Sequence, residues 1–243
     1  MYWNRFRKVI VMTDELFHYG IKGMKWGVRR YQNPDGTLTA LGKKRRNSEK
    51  SDILAKSVSM TARRKEPTIT KDVQQAIESS GGKMYGLEHK LKTEDSILRK
   101  INTDSEEKFI SPEEAAADIK DAVRYTSIAT DNNFVLSYNK VKKQLESKGY
   151  KEERCKNYFD LYRQGKVKHK SVQSVFSDKD GYKFELQFQT PASQHAKNEK
   201  IPLYEERRQP GNTDARNREL EKLMEQLAEA VPDPKDIYKI KTH

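Results

Sequence analysis

From Thr68 onward, apolar residues recur at spacings that describe alternating helices and strands. Val73 and Ile77 mark one face of a short helix that Gly81-Gly82 stops. Leu87, His89 and Leu91 alternate with Glu88, Lys90 and Lys92, the period of a strand with one basic face. Thr93 is placed to cap a helix carrying Ile97, Leu98 and Ile101. Ser111-Pro-Glu-Glu114 is a capping box with proline at the first helical position. Residues 122–129 have the texture of a buried strand, and Phe134, Tyr138, Val141 and Leu145 form the apolar stripe of a helix that Gly149 ends. A strand over 150–155 and a polar loop to Lys170 follow. Then two strand-forming runs flank Asp180-Gly181, a pairing that favours a reversing turn. On the second run Phe184, Leu186 and Phe188 point one way, and Glu185, Gln187 and Gln189 the other. A helix over 214–231, with Leu220, Leu223, Met224, Leu227 and Val231 at core spacing, ends at Pro232. Alternation through 84–190 predicts an α/β (α+β) fold, a mixed sheet flanked by helices.

Composition divides the chain. Of 243 residues, 34% are hydrophobic and 35% charged, too few apolar groups for the whole length to pack into one core. Residues 1–66 hold 16 Lys+Arg against 6 Asp+Glu, whereas the rest holds 32 against 30. Binding to a polyanion through composition alone is therefore a property of the basic arm. Three regions are expected: 1–46, a basic irregular module; 47–67, a Ser/Lys/Arg-rich linker or marginal helix ending at Pro67; and 68–243, the folded domain. Met12 precedes Thr13-Asp-Glu15 and offers an alternative start of translation. The single cysteine, Cys155, excludes an intramolecular disulfide or a Cys-rich zinc site, and a small buried hydrophobe is its expected role. No apolar run approaches the ~20 residues of a membrane span, so a soluble protein with no membrane partner is expected.

Within the basic arm, residues 17–46 interleave aromatics with Lys, Arg and Gly and contain an Asn33-Pro-Asp-Gly36 turn. Such a segment suits either a grip on nucleic acid or a peptide-like docking module. The run Gly20-Ile-Lys-Gly-Met-Lys-Trp-Gly-Val-Arg-Arg-Tyr-Gln32 resembles a short module near the start of many tailed-phage proteins of the portal and head region. The resemblance implies a phage or prophage origin, with residues 14–46 docking to capsid, portal or nucleic acid. The location implied is the cytoplasm of the bacterial host, or the virion.

The hairpin face is the clearest candidate for chemistry. A carboxylate and two amides on a rigid strand would suit a metal–nucleotide complex, while on its own such a face more often just meets water. Arg124 falls inside an apolar strand, where it needs a partner: Asp121, Glu185 or a phosphate. Lys92 and Lys100 read, on residue type alone, as solvated lysines, and Tyr158 and Tyr162 as core aromatics.

Taken in order, residues 68–208 resemble the synthetase domain of the RelA/SpoT alarmone enzymes, above all its small toxin-type members. Lys90-Leu-Lys92-Thr-Glu-Asp-Ser96-Ile-Leu-Arg99-Lys100 is similar to the family's ATP-handling segment, and Asp121-Ala-Val-Arg124 to its aspartate block. Lys156-Asn-Tyr158 is similar to Lys-Asp-Tyr, and Phe184-Glu-Leu-Gln-Phe-Gln-Thr190 to Glu-Ile-Gln-Ile-Arg-Thr. The resemblance implies a nucleotidyltransferase-like fold and transfer of pyrophosphate from ATP to a ribose hydroxyl of a purine nucleotide or a tRNA 3′ end, in some members as a toxin. It implies Mg2+ on Asp121 and Glu185, with Asp118 and Asp131 as alternatives to Asp121, and catalysis by Glu185, Asp121 and Lys156. It also implies nucleotide binding by Lys90, Lys92, Ser96, Lys100, Arg124, Tyr158, His169 and Gln187. Three positions depart from the family. Lys90 and Gln189 stand where it has arginines, and His169 where a tyrosine stacks on guanine. A non-catalytic head protein or a basic packaging factor are the alternatives.

Overall fold

The structure, a computed structural model, describes residues 31–243 except Pro34, Pro210 and the side chain of Lys44. The expectations that fall on residues 1–30 lie outside the described residues. The chain divides at Arg46 into two units. In the first, Gln32 bridges Leu38 across a turn closed by Gly36 N–H donating to the Asn33 carbonyl at 3.0 Å, as the Asn-Pro-Asp-Gly signal predicts.

The elements run α1 (Ala40–Ser79), β1 (Lys83–Tyr85), α2 (Glu94–Lys108), α3 (Pro112–Ala117), β2 (Arg124–Ile128), α4 (Phe134–Ser147), β3 (Lys151–Asn157), α5 (Tyr158–Arg163), β4 (Val172–Ser177), β5 (Lys183–Gln189), α6 (Pro191–Arg207) and α7 (Asp214–Glu229). Five strands form one mixed sheet, ordered β1-β2-β5-β4-β3. Only β2 and β5 are parallel. The fold is therefore the expected α+β sheet with helices packed on it.

Alternation assigns the two sheet faces. Phe184, Leu186 and Phe188 of β5 are buried on one side, and Phe184 gathers Tyr125, Tyr150 and Phe176 at centroid distances of 6.1, 5.6 and 5.8 Å. Phe134, Tyr138, Val141 and Leu145 of α4 close this side, each buried as the stripe predicts. Gly149, at φ +90°, takes the left-handed turn after α4 that a side chain would strain. Gly181 does the same, at φ +80°, in the hairpin. Thr93 and Ser111 cap α2 and α3 as expected. Cys155 is buried, and burial pushes its thiol pKa up, in keeping with a packing role.

Four elements differ from expectation. Residues 47–67, expected as a linker or a marginal helix ending at Pro67, are helical, and α1 runs through them and past Pro67 without a break. Its buried positions Ser51, Ala55, Ser59, Ala62, Glu66, Ile69, Val73 and Ala76 recur every three or four residues. Pro67 faces out from that stripe. Residues 87–89 form a 3-10 turn rather than a strand, and only Leu91 bridges, to Val123. The loop to Lys170 contains α5, started by Asn157, whose Oδ1 accepts from the Phe159 and Asp160 amides. Finally, α6 has no counterpart in the sequence pattern. In α7, Leu220 is buried while Leu223 is exposed.

Candidate active site

The polar face of the sheet carries two rungs that cross four strands. Register places Arg124 of β2 opposite Glu185 of β5, Glu185 opposite Val175 of β4, and Val175 opposite Arg154 of β3. The adjacent rung runs Thr126, Gln187, Gln173, Lys156. Ladder partners share a face, as do residues two apart on a strand. Arg124 therefore neighbours Glu185, and Arg154 and Lys156 lie on the same face two strands, roughly 10 Å, away, on the side opposite the aromatic core. None of these three cations has an ion-pair partner among the described residues, and the Nε of Arg154 is buried with no hydrogen bond.

Helix α6 roofs this face through polar contacts. It starts where Thr190 caps it with Pro191 at the first position, a signal readable in Thr190-Pro-Ala-Ser193. From it, Ser193 Oγ donates to Gln189 Oε1 at 2.6 Å, Lys197 Nζ to Gln187 Oε1 at 2.7 Å, and Asn198 Nδ2 to the Tyr85 hydroxyl at 2.9 Å. Gln187 in turn donates to Glu185 Oε1. Gln187 and Gln189 are thus buried under a helix, and the face is not the wet strand that the hairpin alone suggests. A cavity of about 150 Å³ opens here, lined by His169, Gln173, Gln187, Gln189, Lys197 and Lys200 among others, with no carboxylate in its wall.

Crowded cations carry the electrostatic signature of this site. Burial brings the Lys197 pKa down to about 8, Arg124 pushes it the same way, and Glu185 opposes the drop. Burial likewise lowers Lys200 to about 8, against the pull of Glu225. His169 keeps an exposed edge, yet crowding by protein and then the charges of Lys200 and Lys197 push its pKa down. The imidazole lies against Tyr158, ring centroids 4.2 Å apart and tilted by 38°. Burial raises the Tyr158 pKa, with Arg154 opposing and Glu185 adding to the rise.

The segment expected to handle ATP is arranged differently. Lys90 pairs with Glu66 at 3.1 Å, Lys92 with Asp121 at 2.6 Å and Lys100 with Asp104 at 3.4 Å. Ser96 is bound to its own cap, accepting from Thr93 Oγ1 at 2.8 Å and from Arg99 at 3.3 Å. Of the fallback carboxylates, Asp118 pairs with Lys120 at 2.7 Å, and the Oδ1 of Asp131 is buried without a partner. The structure therefore places Glu185, Gln187 and Arg124 side by side and Lys156 on the same face two strands away, with the Tyr158–His169 pair beginning two residues after Lys156. It gives Lys90, Lys92, Ser96 and Lys100 internal partners.

The expected Mg2+ pair is not assembled. Asp121 lies three residues ahead of the rung shared by Arg124 and Glu185, roughly 10 Å of extended chain. Its Oδ2 is held by Lys92, and its Oδ1 is buried without a hydrogen bond. Among the described residues no three His, Cys, Asp or Glu side chains cluster closely enough to hold a metal ion. The two carboxylates as placed do not fit a shared ion.

Three residues of the site escape a reading by family block: Arg154, Lys197 and Lys200. Arg154 was accessible from strand period alone, two positions before Lys156 on the same face. The two lysines required α6, whose buried residues Ser193, Gln194 and Ala196 include no large apolar side chain.

Residues 10–33 match the model of a family of unknown function, DUF7211. No curated protein matches the chain. Among solved structures, the chain is similar to small alarmone synthetase 1 from Bacillus subtilis bound to its product pppGpp, at 16% identity and TM-score 0.47, covering 70% of this chain and 88% of that one. It is similar to the Type VI effector Tas1 in complex with its immunity protein, at 16% identity and TM-score 0.41, covering 76% and 98%. A GTP pyrophosphokinase family protein from Streptococcus pneumoniae shows 13% identity and TM-score 0.41, covering 79% and 90%. Likeness at this level fixes no activity for the chain. Among the described residues no helix is long and apolar enough to cross a membrane.

Proposed function

We propose that the protein is a pyrophosphotransferase that moves the β,γ-diphosphate of ATP to a ribose hydroxyl of a purine nucleotide or of a tRNA 3′ end. The observation that carries this reading is the rung Arg154, Val175, Glu185, Arg124 with its cations unpaired. Arg154 is half-buried and unpaired, which is costly, while Arg124 is exposed and open to a ligand; a polyphosphate is the ligand whose oxygens match their donor forks. Such a transfer needs mainly position and charge cancellation. Arg124, Arg154, Lys156 and Lys197 supply both from two strands and one helix. The acceptor hydroxyl attacks the β-phosphorus, the bond from that phosphorus to the α-phosphate oxygen breaks, and AMP leaves. The hydroxyl proton passes to Glu185, which lies on the same rung as the two guanidinium groups.

The order of the four family-like blocks supports the reading as well. The phage-type segment at 14–46 is consistent with delivery to a capsid, portal or nucleic acid, and the toxin role belongs to the same proposal. A second reading, a polyanion-binding protein without catalysis, is favoured by the internal pairing of Lys90, Lys92 and Lys100. One experiment separates them. The purified protein is incubated with γ-labelled ATP, Mg2+ and GDP, GTP, ATP or deacylated tRNA. Label on an acceptor, lost in Glu185→Ala, supports transfer. Binding of ATP with no labelled acceptor, and no difference between wild type and variant, leaves the binding reading.

A further inference from the structure

We infer that residues 235–243 form a strap that sets the position of the site cations on β3, with Asn157 as the positioning residue. The proposal rests on the reading of Arg154 and Lys156 as polyanion ligands. β3 is the outer strand of the sheet, and an outer strand with free backbone groups frays. Here the strap covers it. Cys155 N–H donates to the His243 carbonyl at 3.0 Å and accepts at its own carbonyl from His243 N–H at 2.9 Å. Asn157 N–H donates to Thr242 Oγ1 at 3.1 Å. Ile237 and Ile240 anchor the strap in the core.

Asn157 joins strap and site in one side chain. It is fully buried, and its Nδ2 donates to the carbonyls of Ile237 and Ile240 at 2.9 and 3.0 Å. Its Oδ1 accepts from Phe159 and Asp160 at the start of α5. Every hydrogen-bonding direction of the amide is used, and two of them require an N–H donor. The strap thus grips Cys155 and Asn157. Arg154 and Lys156 alternate with them along β3 and project to the polar face. Tyr158, next in sequence, is fixed by its N–H to the Ser171 carbonyl at 2.8 Å. A carboxylate at 157, as in the resembling Lys-Asp-Tyr block, would keep the α5 cap and turn an oxygen toward two carbonyls. This chain's asparagine is therefore matched to its strap.

The test uses the full chain and Asn157→Asp, with tripolyphosphate as the probe, ATP as a second ligand, and amide hydrogen exchange as a local readout. We expect faster exchange at Cys155 and Asn157, far-ultraviolet circular dichroism like that of wild type, and affinity for tripolyphosphate lower by about tenfold, the scale of a misplaced ligand group. Thr242→Val, which removes only the acceptor for Asn157 N–H, should move both readouts in the same direction by about threefold. It decides the matter if Asn157→Asp does not fold. Faster exchange with unchanged affinity, while Lys156→Ala and Arg154→Ala weaken binding, would overturn the strap and leave the proposed function standing. Absence of tripolyphosphate binding by wild type would overturn both, and the wild-type measurement identifies that case.

Discussion

Two groups of cations have opposite fates in the fold. Lys90, Lys92 and Lys100 each meet a carboxylate of their own chain. Arg124, Arg154 and Lys156 share the face of Glu185 without an ion pair among the described residues. A charge that already has a partner is a structural group, and displacing the partner costs part of the binding energy a ligand would bring. A charge held on a strand without one is available. Availability, rather than the density of Lys and Arg, separates the two regions. It also shifts the weight of the site from the segment before β2 to the centre of the sheet.

The comparison is sharpened most by Glu185→Gln, because this change acts on transfer and binding with opposite signs. Removing the proton acceptor should lower label transfer by about 10² to 10⁴-fold. Removing the only carboxylate on that rung should strengthen binding of tripolyphosphate, since its charge opposes the incoming anion. Single-turnover transfer and calorimetric titration measure the two effects separately. Weaker binding in Glu185→Gln would mean that the carboxylate holds the cations in place rather than working among them.

Next in size come the guanidinium groups. Arg124→Ala and Arg154→Ala should each cost about 1.5–3 kcal/mol of ATP affinity, the range of a hydrogen bond to a charged group. Their effect on stability should be small or favourable, because an unpaired charge is removed. Lys92→Ala should do the reverse. It strands Asp121, about four-fifths buried at 19% side-chain exposure, and should cost about 1–3 kcal/mol of stability with little change in affinity. Paired measurements of melting and binding on these three variants would break the comparison if Lys92 behaved like the arginines.

These outcomes bear on what a sequence can disclose. The hairpin, its greasy face and the α4 stripe were legible because Phe184, Leu186, Phe188, Phe134 and Val141 are large and apolar. At α1 the same periodicity is written in Ser51, Ala55, Ser59 and Ala62, small residues that pack closely but carry no hydrophobic signal. Pro67 then looked like an end. On the exposed side of a long helix, with Ile69 and Val73 packed beyond it, the proline's penalty of about 3 kcal/mol is offset by burial along the stripe. α6 hid for a related reason, since its inner face meets amides and carries Ser193, Gln194 and Lys197. The site residues on β2 and β5 were found because strand period fixes their face. Pairing across space, as between Lys92 and Asp121, leaves no trace in spacing.

Lys197 gives a smaller effect that depends on pH. A lysine is charged below its pKa, and the charged form binds the anion. With the free-protein value brought down to about 8, chiefly by burial, affinity for tripolyphosphate should be full at lower pH and decline as pH rises through 8. The bound anion raises the pKa again, so the complex releases its proton later than the free protein does. Across pH 7 to 9.5 the decline should amount to about tenfold, the scale of one charge-assisted hydrogen bond. Lys197→Arg, charged throughout, should flatten the curve. Persistence of the decline in that variant would assign it to another group, with Lys200 as the next to change.

Lys100→Ala should produce the smallest change, and its smallness is informative. The lysine faces Asp104 one helical turn away at 3.4 Å, with its own side chain 34% exposed. Asp104 has a second partner, Lys108, at 3.1 Å. Removal of Lys100 therefore leaves the buried Asp104 carboxylate paired with Lys108, and stability should fall by no more than about 1 kcal/mol. ATP affinity should stay within about twofold, because the lysine's charge is already committed to its own helix. A tenfold loss of affinity in Lys100→Ala, with melting unchanged, would show that ATP draws this lysine away from Asp104. The segment before β2 would then rejoin the site, and the separation between paired and unpaired cations would describe only the protein without its ligand.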